Sequence, residues 1–319
     1  MFVRFALGVM GVIGLTAGSA LPAAAAQRDR VSQRDPIGTH SIDTTFRMGR
    51  GGLVDLELVS GDIIVTGTTG NQVRVRATSE QGRLTLRTSS TLATLRVEHD
   101  HDRDRDRGRS RGNDRYEISV PAGVRVVMQV MSGSLTARGV DGDVDASAVS
   151  GNVELHDIGG IVNVEVVSGQ ITTSGLRSGI HVETTSGPVL VTDVDGEVLI
   201  ENTSGHITLR DIRSRLVSVE SVSGDIRFDG AIESEGRYEF ETHSGTIRLM
   251  LPPAVGAQLK LSTFSGSIQS EFPITLDPRA RSNEKRIEFR LGNGGASLTA
   301  ETFSGSISIT RGTARDRQE

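Results

Sequence analysis

Ten serines in this 319-residue chain stand directly before a glycine at a near-constant interval: Ser60, Ser132, Ser150, Ser168, Ser186, Ser204, Ser223, Ser244, Ser265 and Ser304. A serine hydroxyl attacks as a nucleophile only when a base takes its proton and a strained strand-to-helix turn presents it. A residue copied ten times is a poor fit to a catalytic role, so the series reads as structural. The G-x-S-x-G phrase GRSRG, around Ser110, lies inside a run of charges with no strand or helix to build such a turn. His156, His181, His206 and His243 fall at different offsets from their local glycines, whereas zinc needs three or four converging ligands.

Carboxylates are the better candidates for ligand chemistry. Asp193 and Asp211 occupy equivalent positions in successive repeats, with Asp195 and Glu197 close by. Oxygen ligands of this kind suit calcium, and a carboxylate pair can cleave a glycosidic bond. The equivalent positions elsewhere hold Gly139, Asp157, Gly175 and Gly230, however, and aspartate alternating with glycine is what a turn selects. His99, Asp100, His101 and Asp102 could collect a divalent transition ion, but arginines interleave the run that follows. That run, HDHDRDRDRGRSRGNDR over 99–115, has no apolar residue and is expected to be a solvated loop. The sequence therefore assigns no catalytic, cofactor-binding or metal-ligating residue and implies no cofactor.

The elements that carry these residues follow from the period. From Ser132 to Ser204 every serine interval is eighteen residues, and the next three are nineteen, twenty-one and twenty-one. A fixed period of this size marks a solenoid. Aligned on the glycine, the second residue after it reads Ile63, Leu135, Val153, Ile171, Val189, Ile207, Ile226, Ile247, Ile268 and Ile307. Two residues further on come Ala137, Leu155, Thr173, Val191, Leu209, Phe228 and Leu249, the alternation of a half-buried strand. The residue between glycine and the first aliphatic, such as Gln170 or His206, is expected to face outward.

A second strand fills the other half of each repeat. Val144, Val162, Ile180, Val198 and Val217 form one of its columns, and Ala146, Val164, Val182, Ile200 and Val219 form the next. Turn residues such as Gly142, Gly160, Ser178, Gly196 and Ser214 separate the halves. Two strands of this length cannot bury their aliphatics alone, so each coil must rest on its neighbours. The fold expected is all-β, a parallel β-helix-like solenoid with coils of about 18 residues, each of two short strands. At the corners glycine supplies a positive φ and the serine hydroxyl is expected to bond nearby backbone.

Outside the regular coils, residues 41–131 alternate apolar and polar types in longer stretches, and form a more sheet-like N-terminal region that caps the solenoid repeats of 132–311. The interval from Ser60 to Ser132 is seventy-two residues with no serine-glycine corner between. Gly292–Gly295, GNGG, reads as a hairpin turn joining two strands, since a phosphate loop would need a lysine. Residues 312–319 form a polar tail, and 27–40 a polar leader. Residues 1–26, with Arg4, an apolar run and an A-x-A-like end, read as a secretory signal cut before Gln27. The mature chain is then not expected to span a membrane.

Composition narrows the function classes. There is no cysteine, so neither disulfides nor a lipid-anchored N-terminal cysteine is possible. The formal charge is −5, and −6 without Arg4, which argues against a nucleic-acid partner. Aromatic residues make up 3%, with no tryptophan, leaving Tyr116 and Tyr238 as the tyrosines on which a sugar could stack.

The phrases VSGDIIV, YEISVPAGVRVVMQVMSGSL, RLMLPPAVGAQLKLSTFSGSI and GNGGASLTAETFSGSISI, together with the serine-glycine coils, resemble the bacterial "putative adhesin" family of unknown function. Its members are exported β-strand-repeat proteins related to the head domain of some auto-transporter adhesins. The resemblance runs from about Ser41 to Thr310. It implies a parallel solenoid in the cell envelope, periplasmic or at the cell surface, with no established catalytic residues. The function expected is a non-enzymatic scaffold whose faces contact an envelope protein or a surface polysaccharide. The alternatives are a carbohydrate-active β-helix enzyme and a purely structural spacer. The charged insertion at 99–115 departs from the family pattern.

Overall fold

The computed structural model describes residues 40–80, 83–98, 114–273 and 285–312. Every regular element among them is a β-strand. The chain opens with β1 (His40–Arg47), β2 (Leu53–Thr68), β3 (Gln72–Ser79), β4 (Arg83–Thr88), β5 (Leu92–Glu98) and β6 (Asp114–Pro121). Seven coils follow, each a strand pair joined at a serine-glycine corner. They are β7 (Arg125–Ser132) with β8 (Leu135–Arg138), β9 (Val144–Ser150) with β10 (Val153–Ile158), and β11 (Val162–Ser168) with β12 (Ile171–Leu176). Next come β13 (Gly179–Ser186) with β14 (Val189–Asp195), β15 (Glu197–Ser204) with β16 (Ile207–Arg213), β17 (Leu216–Ser223) with β18 (Ile226–Gly230), and β19 (Arg237–Ser244) with β20 (Ile247–Leu251). The chain ends with β21 (Ala257–Ser265), β22 (Ile268–Ser270), β23 (Arg286–Leu291), β24 (Ala296–Ser304) and β25 (Ile307–Arg311).

The even-numbered strands from β8 to β20 pair in parallel with one another in one sheet, and the odd-numbered strands from β7 to β19 do so in a second. This is the expected parallel β-solenoid. The inward columns are those read from the sequence. Leu135, Val153, Ile171, Val189, Ile207, Ile226 and Ile247 are fully buried, and the facing sheet contributes Val144, Val162, Ile180, Val198 and Val217. Each such side chain stabilises the stack by about 1.5–3 kcal/mol. The wider interior around β18 and β19 is filled by Phe228, Tyr238 and Phe240, with Phe228 5.2 Å from Phe240 and 6.0 Å from Tyr238.

Spatial order departs from chain order at both ends. The long strand β2 passes through the Ser60–Gly61 corner, so its first half pairs with β7 and its second half with β8. Ser60 therefore lies directly beside Ser132, and the seventy-two-residue interval is a single coil step in space. The intervening chain sits on the outer side of β2, through β5 in one sheet and β6 in the other. Antiparallel strands then close this end, β4 beside β5, and β3 followed by β1 beside β6.

The C-terminal end repeats the arrangement. β24 and β25 stack on β19 and β20, while β21 and β22, earlier in sequence, form the outer coil. This corrects the hairpin expected at Gly292–Gly295. β23 and β24 do not pair; they flank β21, antiparallel and parallel to it. The turn crosses the start of β21, where Gly295 and Ala296 each donate an N–H to the Gly256 carbonyl, both at 3.1 Å. β24 repeats the TFSGSI phrase of β21, so it takes the parallel register of a coil, and β23 is left to cover the exposed sheet edge.

The corner glycines are required for a stronger reason than a positive φ. Gly169 has φ +154°, and a Cβ there would overlap the Gly151 carbonyl oxygen and lie 2.7 Å from its carbon. The glycines are stacked backbone on backbone. The Gly151 N–H donates to the Ser168 carbonyl at 3.0 Å, and the Gly169 N–H to that of Ser186 at 3.1 Å. Among the described residues no corner serine uses its hydroxyl in a hydrogen bond, which differs from the role expected for it. Its backbone carbonyl forms the ladder, and inward threonines supply side-chain support, as where Thr263 Oγ1 donates to the Gly305 carbonyl at 3.0 Å.

Candidate functional site

The ten corner serines form one row, half-buried at Ser60 and exposed at the rest, in the spatial order Ser60, Ser132, Ser150, Ser168, Ser186, Ser204, Ser223, Ser244, Ser304 and Ser265. The residue before each serine points outward from the odd-numbered sheet. Of the eight exposed large hydrophobic residues in the described chain, six occupy this column: Val59, Met131, Val149, Val167, Phe303 and Phe264. Thr185, Thr203, Val222 and His243 complete it. At its C-terminal end His243, Phe303 and Phe264 stack face to face, with centroid separations of 4.8 and 4.7 Å and interplanar angles of 6° and 5°. Lys285 Nζ lies 5.6 Å from the Phe264 centroid. We refer to this column as the rail.

Nothing in the rail's backbone requires apolar side chains. The residue before each rail position, such as Val130 or Val166, is the one buried in the core, and threonine serves at the rail position itself in β13 and β15. Met131 is 58% exposed and Phe264 64%. Exposed apolar residues gathered in one column, aliphatic at one end and aromatic at the other with Thr185 and Thr203 between, are a feature of interaction sites.

The carboxylates singled out by the sequence are held as turn residues. Asp157, Asp193 and Asp211 have φ of 55°, 53° and 51°, and Gly139 and Gly175 of 65° and 68°. This is the left-handed conformation that glycine and aspartate tolerate best. Asp193 and Asp195 are both held by Arg213, whose Nη2 and Nε donate to them at 2.6 Å each, and these bonds raise the arginine's pKa. A guanidinium between the two carboxylates offsets the charge that would draw a cation. Among the described residues no cluster of three or more histidines or carboxylates is placed to hold a metal. His99, Asp100, His101, Asp102 and Ser110 lie outside the described residues.

The histidines remain apart, but one contact went unforeseen. His156 Nδ1 is 2.7 Å from Ser174 Oγ across adjacent coils, on the outward face of the even-numbered sheet. A serine and histidine eighteen residues apart share an outward column, so the spacing carried this signal. No carboxylate among the described residues orients the ring's other nitrogen, and the surrounding strand N–H groups are used in the ladders. A proton-relay dyad needs both an orienting group and an oxyanion site. A shallow pocket of about 420 Å³ near Arg47, Arg50, Asn71 and Ser90 brings no acid and base together.

The tyrosines cannot serve as sugar platforms. Tyr116 and Tyr238 are fully buried, and burial pushes both phenols up in pKa. The Tyr238 hydroxyl donates to the Ser214 carbonyl at 2.6 Å and accepts from the Glu233 N–H at 2.8 Å. Among the described residues the exposed phenylalanine rings, Phe264 and Phe303, belong to the rail.

A stacked parallel solenoid with serine-glycine corners and a bare outward strip defines a repeat-scaffold class. The chain belongs to the Toastrack DUF4097 family, whose sequence profile matches residues 54–310. Similar solved structures include a putative adhesin from Bacteroides fragilis, at 10% identity and a TM-score of 0.39, covering 85% of this chain and 97% of that one. A putative cell adhesion protein from Clostridium sporogenes is 8% identical with a TM-score of 0.26, covering 86% and 100%. A putative lipid binding protein from Parabacteroides distasonis is 11% identical with a TM-score of 0.33, covering 86% and 97%. Comparison with curated proteins gives no match.

Proposed function

We propose that the chain is an exported, non-enzymatic protein of the cell envelope, an adhesin-like scaffold that contacts a protein or surface polymer through its solenoid faces. The rail carries this reading, because it concentrates exposed apolar surface in one line along the stack. A purely structural spacer has no use for such a line. In this reading residues 1–26 direct export and are removed, 27–40 form a leader, and the N-terminal β region of 41–131 caps the repeats of 132–311.

Two measurements test the proposal. N-terminal sequencing of the envelope fraction should begin near Gln27; a retained Met1 in the cytoplasm refutes export. The mature chain should retain an envelope component in a pull-down, and Met131→Glu with Val149→Glu and Val167→Glu should abolish retention without lowering the melting temperature. Release of reducing ends from polysaccharides would instead establish a carbohydrate-active enzyme.

A further inference from the structure

Beside the rail, on the same outward face, stands a second row. Glu165, Glu183, Glu201, Glu220, Glu241 and Glu301 occupy equivalent positions on six neighbouring strands. At a strand spacing of about 4.8 Å the row runs for about 24 Å. The architecture does not call for carboxylates here, since Gln129 and Ser147 hold the same column in β7 and β9. Like charges directly opposite one another oppose pairing. Their compensation is sparse: Lys260 Nζ donates to Glu301 at 2.8 Å and His181 Nε2 lies 3.2 Å from Glu183. Among the described residues, the outward positions of β11, β13, β15 and β17 hold no lysine or arginine.

The rail and the row run parallel, two residues apart along every strand. One attracts apolar and ring-stacking groups, the other cations. The stacked rings already receive a cation from this chain, Lys285 over Phe264. An extended polypeptide sends alternate side chains to opposite sides, so laid along this face between the two columns it would direct one set to the row and the other to the rail. Building on the scaffold reading above, we propose that this face docks an extended basic polypeptide segment in which lysine or arginine alternates with apolar residues. A polyamine would leave the rail uncovered, and a neutral glycan would leave the row unpaired.

The probe is a labelled synthetic peptide of alternating arginine and valine, about ten residues long, titrated into the mature full chain at about 50 mM salt and again at about 300 mM. Saturable binding that weakens with salt is expected. Combining Glu183→Gln, Glu201→Gln and Glu220→Gln should weaken it at least about tenfold, with the melting temperature unchanged or raised. Phe303→Ser with Phe264→Ser should weaken it severalfold, with the fold intact by circular dichroism. Absence of binding, or binding indifferent to the glutamate substitutions, overturns the proposal. So does equal affinity for spermine or for an alternating arginine-serine peptide, which would show a simple polycation site. If the peptide fails while rail-dependent envelope capture persists, the basic partner alone is wrong; if both fail, the scaffold reading falls with it.

Discussion

Two glycines of positive φ should respond very differently to the same substitution. Gly169 sits in the corner stack, where a Cβ would overlap the Gly151 carbonyl. Relieving that overlap requires the two coils to part by more than about 1 Å, which takes their hydrogen bonds outside useful range. The bonds at risk between these two coils are Gly151 N–H to Ser168 O at 3.0 Å and Val153 N–H to Gln170 O at 2.9 Å. At about 0.5–1.5 kcal/mol each, their loss costs about 2 kcal/mol. The strained φ of an alanine adds about 1–2 kcal/mol. Gly139, at φ +65°, has nothing within 4 Å of the place a Cβ would take, so Gly139→Ala should cost only the conformational part, about 1 kcal/mol. Gly139→Asp should be milder still, because Asp157 and Asp193 already occupy the same position and conformation. Urea titration of the mature chain, followed by far-UV circular dichroism, measures all three. Losses for Gly169→Ala and Gly139→Ala within about 1 kcal/mol of each other would refute the account of the corner as a backbone-on-backbone stack.

Ile171→Asp should unfold neighbouring coils together, since the charge enters a column with no solvent and no partner, whereas Gln170→Asp should be mild; equal losses on thermal melting would overturn the inward and outward assignment. Burial, and then the charges of Glu201 and Glu239, raise the Glu220 pKa; burial, and then Glu220, Glu301 and Glu239 against Lys260, raise that of Glu241. An acid whose folded pKa is raised costs stability above that pKa, and the cost is relieved as pH falls toward its unfolded value, so the melting temperature should rise between about pH 7 and pH 5. Glu220→Gln should reduce that rise, and a melting temperature that falls over this interval would contradict the shifts. With Asp193 and Asp195 engaged by Arg213, melts in calcium and in chelator should coincide; a calcium-dependent rise abolished by Asp193→Asn with Asp211→Asn would instead reveal a metal site.

The inward columns were legible because burial acts on every coil alike. Ile171 and its counterparts repeat at fixed distance from a glycine, and so do Val162 and its counterparts in the facing sheet. The glutamate row was equally present, three residues before the corner serine in Glu165, Glu183 and Glu201, but a search for converging ligands passes over a column of identical, outward-facing charges. The order of the end coils was not legible. Register depends on the local phrase, and β21 and β24 carry nearly the same one, so either satisfies the columns of β19 equally well. Which of them stacks inside is decided by the chain that joins them, where β23 must reach the free edge of β21. The contact of His156 with Ser174 was present in the same way, since both occupy the same position after the corner glycine of successive coils, but comparing the histidines only with one another passes over a column that pairs a histidine with a serine.

The division between inward and outward columns also bears on where function can reside. A coil's inward residues serve both neighbours at once, so a change in one is felt by three coils. The corner glycines are tied in the same way, carbonyl against the missing Cβ. Outward columns carry no such obligation, and their composition does change along the stack: the glutamate column passes from Glu57, paired with Arg96, through Gln129 and Ser147 to the run of six glutamates, and the rail passes from Val59, Met131 and Val149 through Thr185 and Thr203 to Phe303 and Phe264. A partner lying along the axis would therefore meet a graded surface, with aliphatic groups at one end, carboxylates through the middle and stacked rings at the other. Such a gradient gives a long ligand one preferred polarity and register on a scaffold that is otherwise nearly uniform. Reversing the sequence of an asymmetric basic peptide, with aromatic residues at one end and aliphatic residues at the other, should therefore lower its affinity severalfold, and equal affinity for the two directions would show that the gradient is not read.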